Sequence, residues 1–119
     1  MEQNFKLLYY VDHRGLSEFK QFIEKQTLKT QYKMIVSLSL LEHFGPNLKE
    51  PHSKHILNGL FELRNQSQNG HIRIFYFRVS KDKFLITHGF IKKTNKTPIK
   101  EIEKAFRLKE QYEKRIYIS

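Results

Sequence analysis

The sequence has no cysteine among its 119 residues. That absence excludes disulfide bridges, thiolate metal sites and cysteine nucleophiles. No apolar run approaches the roughly 20 residues that a membrane-spanning helix needs. The first five residues also show no basic region followed by an apolar stretch, so we expect no secretory signal. These absences favour a soluble cytoplasmic protein without a membrane partner.

Several catalytic motifs are also missing. The chain has no glycine-rich phosphate loop in a strand–helix context and no serine nucleophile elbow. His52 and His55 are three residues apart, but only Glu50 lies near them as a carboxylate. This spacing predicts an ordinary exposed pair rather than a metal site. We therefore expect neither a metal nor another cofactor.

Positive charge, in contrast, is abundant. The formal net charge is +10, with 14 Lys and Arg against 6 Asp and Glu in residues 60–119, and 8 against 6 in residues 1–59. A one-sided excess of this kind concentrates polyanions near the surface and speeds their capture. The charge favours a nucleic-acid partner over a basic surface that serves solubility alone.

Hydrophobic residues make up 39% of the chain, which is enough for one compact core. We expect a single domain over residues 1–119 of the α+β class, in the order β-α-α-β-β-β-α. The sheet should have about four strands, antiparallel but mixed through its N-terminal strand, with two helices on one face and a C-terminal helix. Predicted strands cover 5–11, 60–64, 72–79 and 84–91, and predicted helices begin near Ser17, Leu28 and Thr97.

The helix predicted over 28–44 has an apolar set close to a 3.6-residue period. A glycine and a proline at 45–46 end it. We expect this set to face the sheet: Leu28, Tyr32, Ile35, Val36, Leu40, Leu41 and Phe44.

Two arginines are predicted to meet at one end of the sheet. Arg64 ends one hairpin strand and Arg73 opens the next, so antiparallel pairing brings them together. Alternation places Arg73 and Phe75 on one face. Phe75 or Phe77 could stack on a base, although core packing is the more common role of such residues.

Three lysines lie between the last strand and the last helix, at Lys92, Lys93 and Lys96. Lysines near a helix N-terminus add positive charge where an anion is already favoured. A phosphate would relieve this repulsion, whereas the alternative is a solvated loop.

Four segments of the second half resemble a known family. They are LFELR at 60–64, GHIRIFYF at 70–77, HGFIKKTNKTP at 88–98 and EIEKA at 101–105. They are similar to the HigB branch of the RelE/ParE toxin superfamily, which includes phage-derived relatives. The resemblance covers most of residues 60–107, and residues 1–59 agree in strand–helix–helix order.

The resemblance implies the toxin of a type II toxin–antitoxin system, acting as a ribosome-dependent mRNA endonuclease that inhibits translation. Cleavage would need no metal, because the ribose 2′-hydroxyl attacks the adjacent phosphate. Arg73 matches a transition-state stabiliser, Lys92 and Lys93 match a catalytic basic pair, and Arg64 matches a basic residue near the scissile phosphate. The further candidate RNA contacts are His71, Phe75, Arg78, His88 and Lys96.

One departure concerns proton transfer. Ribonucleases of this family often carry a Tyr or His near the start of the last helix, where this chain has Thr97, Pro98, Ile99 and Lys100. His71 or Lys96 could substitute, or the lysines alone could move the proton.

The resemblance implies mRNA and the ribosome as partners. It also implies a cognate antitoxin, acidic or with an acidic segment and often DNA-binding, in a heteromeric complex. Two alternatives stay open: a ParE-like poison of DNA gyrase, and a basic module that binds RNA or a partner without chemistry.

Overall fold

The computed structural model describes residues 4–118, with side chains described for 4–115. Within these residues the chain forms five strands and three α-helices, which confirms the α+β class. None of these helices is both long and apolar enough to cross a lipid bilayer. The strands are β1 (Lys6–Tyr9), β2 (Ser53–Leu57), β3 (Leu60–Ser67), β4 (Gly70–Ser80) and β5 (Lys83–Lys92), and the helices are α1 (Glu18–Glu24), α2 (Leu28–Phe44) and α3 (Ile99–Ile118).

The five strands form one sheet in the order β1-β5-β4-β3-β2. β1 runs parallel to β5, and every other pair is antiparallel, so the expected mixed sheet is confirmed. The β3–β4 turn requires glycine at position 70. Gly70 has φ +139°, and an added Cβ would lie 2.4 Å from the carbonyl oxygen of Lys92.

Each face of the sheet carries its own core. The first face, which we call the helix face, is covered by α1 and α2, and its core includes Ile72, Ile74 and Tyr76 of β4. The other face, which we call the cleft face, holds Phe75 and Phe77 against α3. Since successive side chains point to opposite faces, Arg73 lies on the cleft face, as the sequence predicts.

Strand β2 corrects the predicted element order. Residues 47–58 are polar and were expected to be irregular, yet Ser53–Leu57 pair with β3 at the sheet edge. The strand lacks a hydrophobic alternation because it buries only one of its side chains, Ser53. The Ser53 hydroxyl and the Tyr76 hydroxyl are hydrogen-bonded at 2.5 Å.

Helix α2 has the predicted bounds but buries a different face. The side chains that pack on the sheet are Met34, Leu38 and Leu41, together with Thr30 and Ser37. Five of the seven residues expected to face the sheet are exposed instead, so this prediction was wrong for them. Helix α2 is apolar on two sides, and only one of these sides packs against the sheet. The five exposed members are Leu28, Tyr32, Ile35, Val36 and Phe44.

A bulge in β5 turns His88 toward α3. The β4–β5 register shifts between Ile74 and Tyr76, so Phe75 lies opposite both Thr87 and His88. His88 is 1% exposed and its Nε2 lies 3.2 Å from Glu101 Oε1 of α3. Burial lowers the pKa of His88 to about 4, the positive charge of Lys104 acts in the same direction, and Glu101 opposes the shift.

The buried His88 predicts an acid-sensitive fold. The unfolded chain binds the proton at a pKa near 6.5, and the folded chain only near 4, so stability is lost as pH falls through this window. Replacing His88 by Gln should remove up to about 3 kcal/mol of the pH dependence between pH 7 and 4. Urea unfolding at several pH values measures this slope. The exposed His13→Gln variant is the control, and an unchanged slope in His88→Gln would contradict the prediction.

Candidate functional site

A cleft of about 410 Å³ opens at the end of the sheet where β3 and β4 meet their turn. Two arginines form part of its wall, at the directly paired positions Arg64 and Arg73. The β2 edge and the loop between β5 and α3 complete it. Its lining residues are Glu50, Pro51, His52, Arg64, Asn65, Gln66, Arg73 and Asn95.

A buried carboxylate holds the two arginines in place. Glu62 lies on the cleft face two residues before Arg64 and is 0% exposed. Its Oε1 accepts a hydrogen bond from Arg64 Nε at 2.7 Å and lies 3.3 Å from Arg73 Nε. One carboxylate therefore compensates one of two guanidinium charges, and the cleft keeps positive charge.

The two arginines differ in what they can offer a ligand. Arg73 is 4% exposed, and its Nη atoms donate to the Ile72 carbonyl and to Asn95 Oδ1, the latter at 2.6 Å. Burial lowers the pKa of Arg73, Glu62 opposes this and Arg64 adds to it, but a guanidinium remains charged. Arg64 is half-buried, and among the described residues its Nη groups have no hydrogen-bond acceptor. Arg64 thus presents free donors to the cleft, supported by Arg73 behind it.

The loop between β5 and α3 is hydrogen-bonded to Arg73 and Glu62. Asn95 accepts from Arg73, and the Thr97 hydroxyl donates to Glu62 Oε2 at 2.9 Å. Thr97 lies two residues before Ile99, the first residue of α3, so its contact with Glu62 ties the start of the helix to the sheet. The loop therefore brings an amide side chain to the cleft rather than its lysines.

His71 and Lys92 lie directly opposite each other on the cleft face, two positions from Arg73 along β4. His71 is half-buried, and its Nδ1 is buried without a hydrogen-bond partner in the described part of the chain. A buried unsatisfied nitrogen is rare enough to suggest a partner from outside the chain. The structure thus brings His71 and Lys92 near the arginine pair, without making them part of the cleft wall.

Two of the expected RNA contacts are corrected by burial. Phe75 is 0% exposed and packs edge-on against Phe90 under α3, so it has no free face for a base. His88 is covered by α3 in the same core. Both side chains lie on the cleft face, but α3 covers the part of the sheet that carries them.

The remaining predicted residues lie outside the cleft. Arg78 is on the helix face, opposite Phe84, and donates to the carbonyls of Ser80 and Lys81 at the far end of β4. Arg78 is therefore not brought to the arginine pair, and its contact with RNA stays a prediction. Lys93 and Lys96 are exposed, and Lys93 lines a separate open depression of about 540 Å³ beside Gly70.

Sequence reasoning missed four residues of this site: Glu50, His52, Glu62 and Asn95. His52 is exposed, as expected, but it also lines the cleft, and its carbonyl accepts from the Arg64 amide at 2.9 Å. Glu62 carried one usable signal, since a glutamate on the same strand face as two arginines suggests an ion pair. Nothing local pointed to Asn95 or Glu50.

The fold and the cleft define a small basic α+β protein with an arginine-lined cleft at one end of its sheet. A family model described as phage-derived protein Gp49-like (DUF891) matches residues 21–110, well over half of the chain. The chain therefore belongs to this family, a toxin-like family of toxin–antitoxin systems. No curated protein matches the sequence.

The burial of the Glu62 carboxylate leads to a prediction about the stability of the fold. Glu62→Gln leaves two guanidinium groups without their counter-charge, and breaking such a buried pair costs about 3–5 kcal/mol. Urea unfolding should show this loss. The surface variant Glu110→Gln, which breaks the exposed pair with Lys114, should stay within about 0.5 kcal/mol of wild type. Equal stability of the two variants would refute the role assigned to Glu62.

Proposed function

We propose that this protein is the toxin of a type II toxin–antitoxin system and cleaves mRNA on the ribosome. The observation that carries the proposal is the arginine pair in the cleft. Arg64 and Arg73 are fixed by one buried carboxylate, and Arg64 points free N–H donors into a space large enough for a phosphodiester. Membership of the Gp49-like family and the net charge of +10 support the same function.

In the proposed reaction the ribose 2′-hydroxyl loses its proton and attacks the adjacent phosphorus. The bond from phosphorus to the 5′-oxygen breaks, and the leaving oxygen takes up a proton. The products are a 2′,3′-cyclic phosphate and a 5′-hydroxyl. Arg64, held by Glu62, stabilises the negative charge that grows on the non-bridging oxygens, and Arg73 adds positive charge beside it. Donors already positioned before the reaction need no reorganisation, which makes this contribution large.

Proton transfer requires a group that the cleft must supply. His52 contributes an imidazole to the cleft wall, and an imidazole can accept or donate a proton. His52 is therefore our candidate acid or base, with Glu50 beside it as the second titratable side chain of the wall. His71 and Lys92 lie where they would contact the flanking RNA backbone.

A ribosome-dependent cleavage assay tests the proposal. Primer extension on a defined mRNA with purified ribosomes should show cuts with wild type, while Arg64→Ala and Arg73→Ala should lower the cleavage rate by about 10²–10³-fold. Arg78→Ala, on the opposite face of the same strand, should cleave as wild type does. Thermal unfolding of each variant separates loss of chemistry from loss of fold.

The absence of cleavage by a folded wild-type protein would overturn the proposal. Inhibition of purified DNA gyrase would then favour the ParE-like reading. Inhibition of neither system, with RNA binding retained, would favour a non-catalytic binding module.

The role of His52 makes a separate prediction. His52→Gln should lower the cleavage rate by about 10²-fold or more, because the variant loses the imidazole that transfers the proton. His55→Gln is the matched control, because its ring packs against Phe61 at 5.0 Å and does not line the cleft. A cleavage rate that His52→Gln leaves unchanged would remove His52 from the mechanism.

A further inference from the structure

The outward side of α2 carries an apolar surface with no partner among the described residues. We call it the α2 stripe and define it as Leu28, Tyr32, Ile35 and Val36, which are 83%, 68%, 54% and 36% exposed. Their spacing places them on one side of the helix, opposite the side that packs on the sheet. Single exposed apolar residues are common, but four on one helix face mark a contact surface.

The charges beside the stripe determine which partner it fits. Lys29 and Lys33 lie along one flank, and the first turn of α2 contains no acidic residue, so the positive end of the helix dipole is not compensated by a side chain. Lys33 Nζ donates to the Gln66 carbonyl, and Lys29 is exposed. An occupant with carboxylates along this flank would meet positive charge.

A second copy of this chain fits the stripe poorly. The stripe is centred near Tyr32, and antiparallel packing of two copies about a two-fold axis there would bring Lys29 and Lys33 of both copies to the same flank. The two chains would also each contribute a net charge of +10. Like charges at an interface oppose association, so the electrostatics select an acidic partner.

We propose that the α2 stripe binds an amphipathic helix of another protein, with apolar residues at i, i+3 or i+4 and i+7 and with acidic residues along one flank. The partner helix would lay its apolar face against the apolar face of α2, as amphipathic helices do when they bind apolar surfaces. The site lies on the helix face of the sheet, whereas the arginine cleft lies on the other face, so the bound helix leaves the cleft open. If the protein is the toxin of the proposed function, its antitoxin is the expected source of this helix. Binding of such a helix to the α2 stripe does not itself depend on that function.

The test uses a designed peptide as the probe. A fluorescein-labelled, helix-stapled 15-residue peptide with leucines at those positions and glutamates on one flank is titrated against the full chain by fluorescence anisotropy. Wild type should bind it, and Tyr32→Ser combined with Ile35→Ser should weaken binding at least tenfold. Ile99→Ser removes an equally exposed side chain, 71% exposed, from another helix and should bind as wild type does.

Charge reversal sharpens the test. Lys29→Glu should weaken binding of the glutamate peptide. The same variant should improve binding of a matched peptide with lysine in place of glutamate. The proposal is overturned if wild type binds neither peptide, if the stripe variants bind the acidic peptide as well as wild type does, or if sedimentation shows a dimer of the wild-type chain that Ile35→Ser dissociates. RNA cleavage is measured separately in the stripe variants and should equal that of wild type, so failure of the cleavage assay leaves the peptide result interpretable.

Discussion

The Glu62 carboxylate is the constraint on which the site depends. It is completely buried, and its two oxygens are shared by Arg64, Arg73 and Thr97. A buried carboxylate without counter-charges costs several kcal/mol, so the fold keeps all three contacts together. They come from β3, β4 and the loop before α3. The same interaction therefore closes the loop over the sheet and orients the two guanidinium groups before any ligand arrives.

The two arginines have different roles in this arrangement. Arg73 is buried, and its donors are largely used within the protein, so its main contribution is positive charge beside Arg64. Arg64 keeps its terminal N–H groups for a ligand, next to His52 at the edge of β2. A phosphodiester that enters the cleft would thus meet donors on one side and a titratable imidazole nearby. Preorganised donors of this kind are what an RNA-cleaving toxin without a metal would require.

The sequence predicts most of the scaffold and part of the site. Antiparallel pairing correctly places Arg64 and Arg73 together at one end of the sheet, and period-two alternation correctly places Arg73 and Phe75 on one face, because both rules are local. Tertiary packing decides what the pattern leaves open. α2 is apolar on two sides, so its periodicity cannot select the side with Met34 and Leu41. Phe75 and His88 point to the expected side of the sheet, but α3 covers them. β2 has too few buried side chains to produce an alternation, and the approach of Asn95 depends on a loop conformation.

Side-chain NMR of the arginine Nε–H groups tests the central claim most directly. In wild type near neutral pH, the Arg64 and Arg73 signals should exchange slowly with water, because both groups face the buried Glu62, and the exposed Arg107 should exchange fast. Both signals should lose this protection in Glu62→Gln if that variant remains folded under the same conditions. Fast exchange of Arg64 and Arg73 in wild type, or full protection in Glu62→Gln, would contradict a cleft built on this carboxylate.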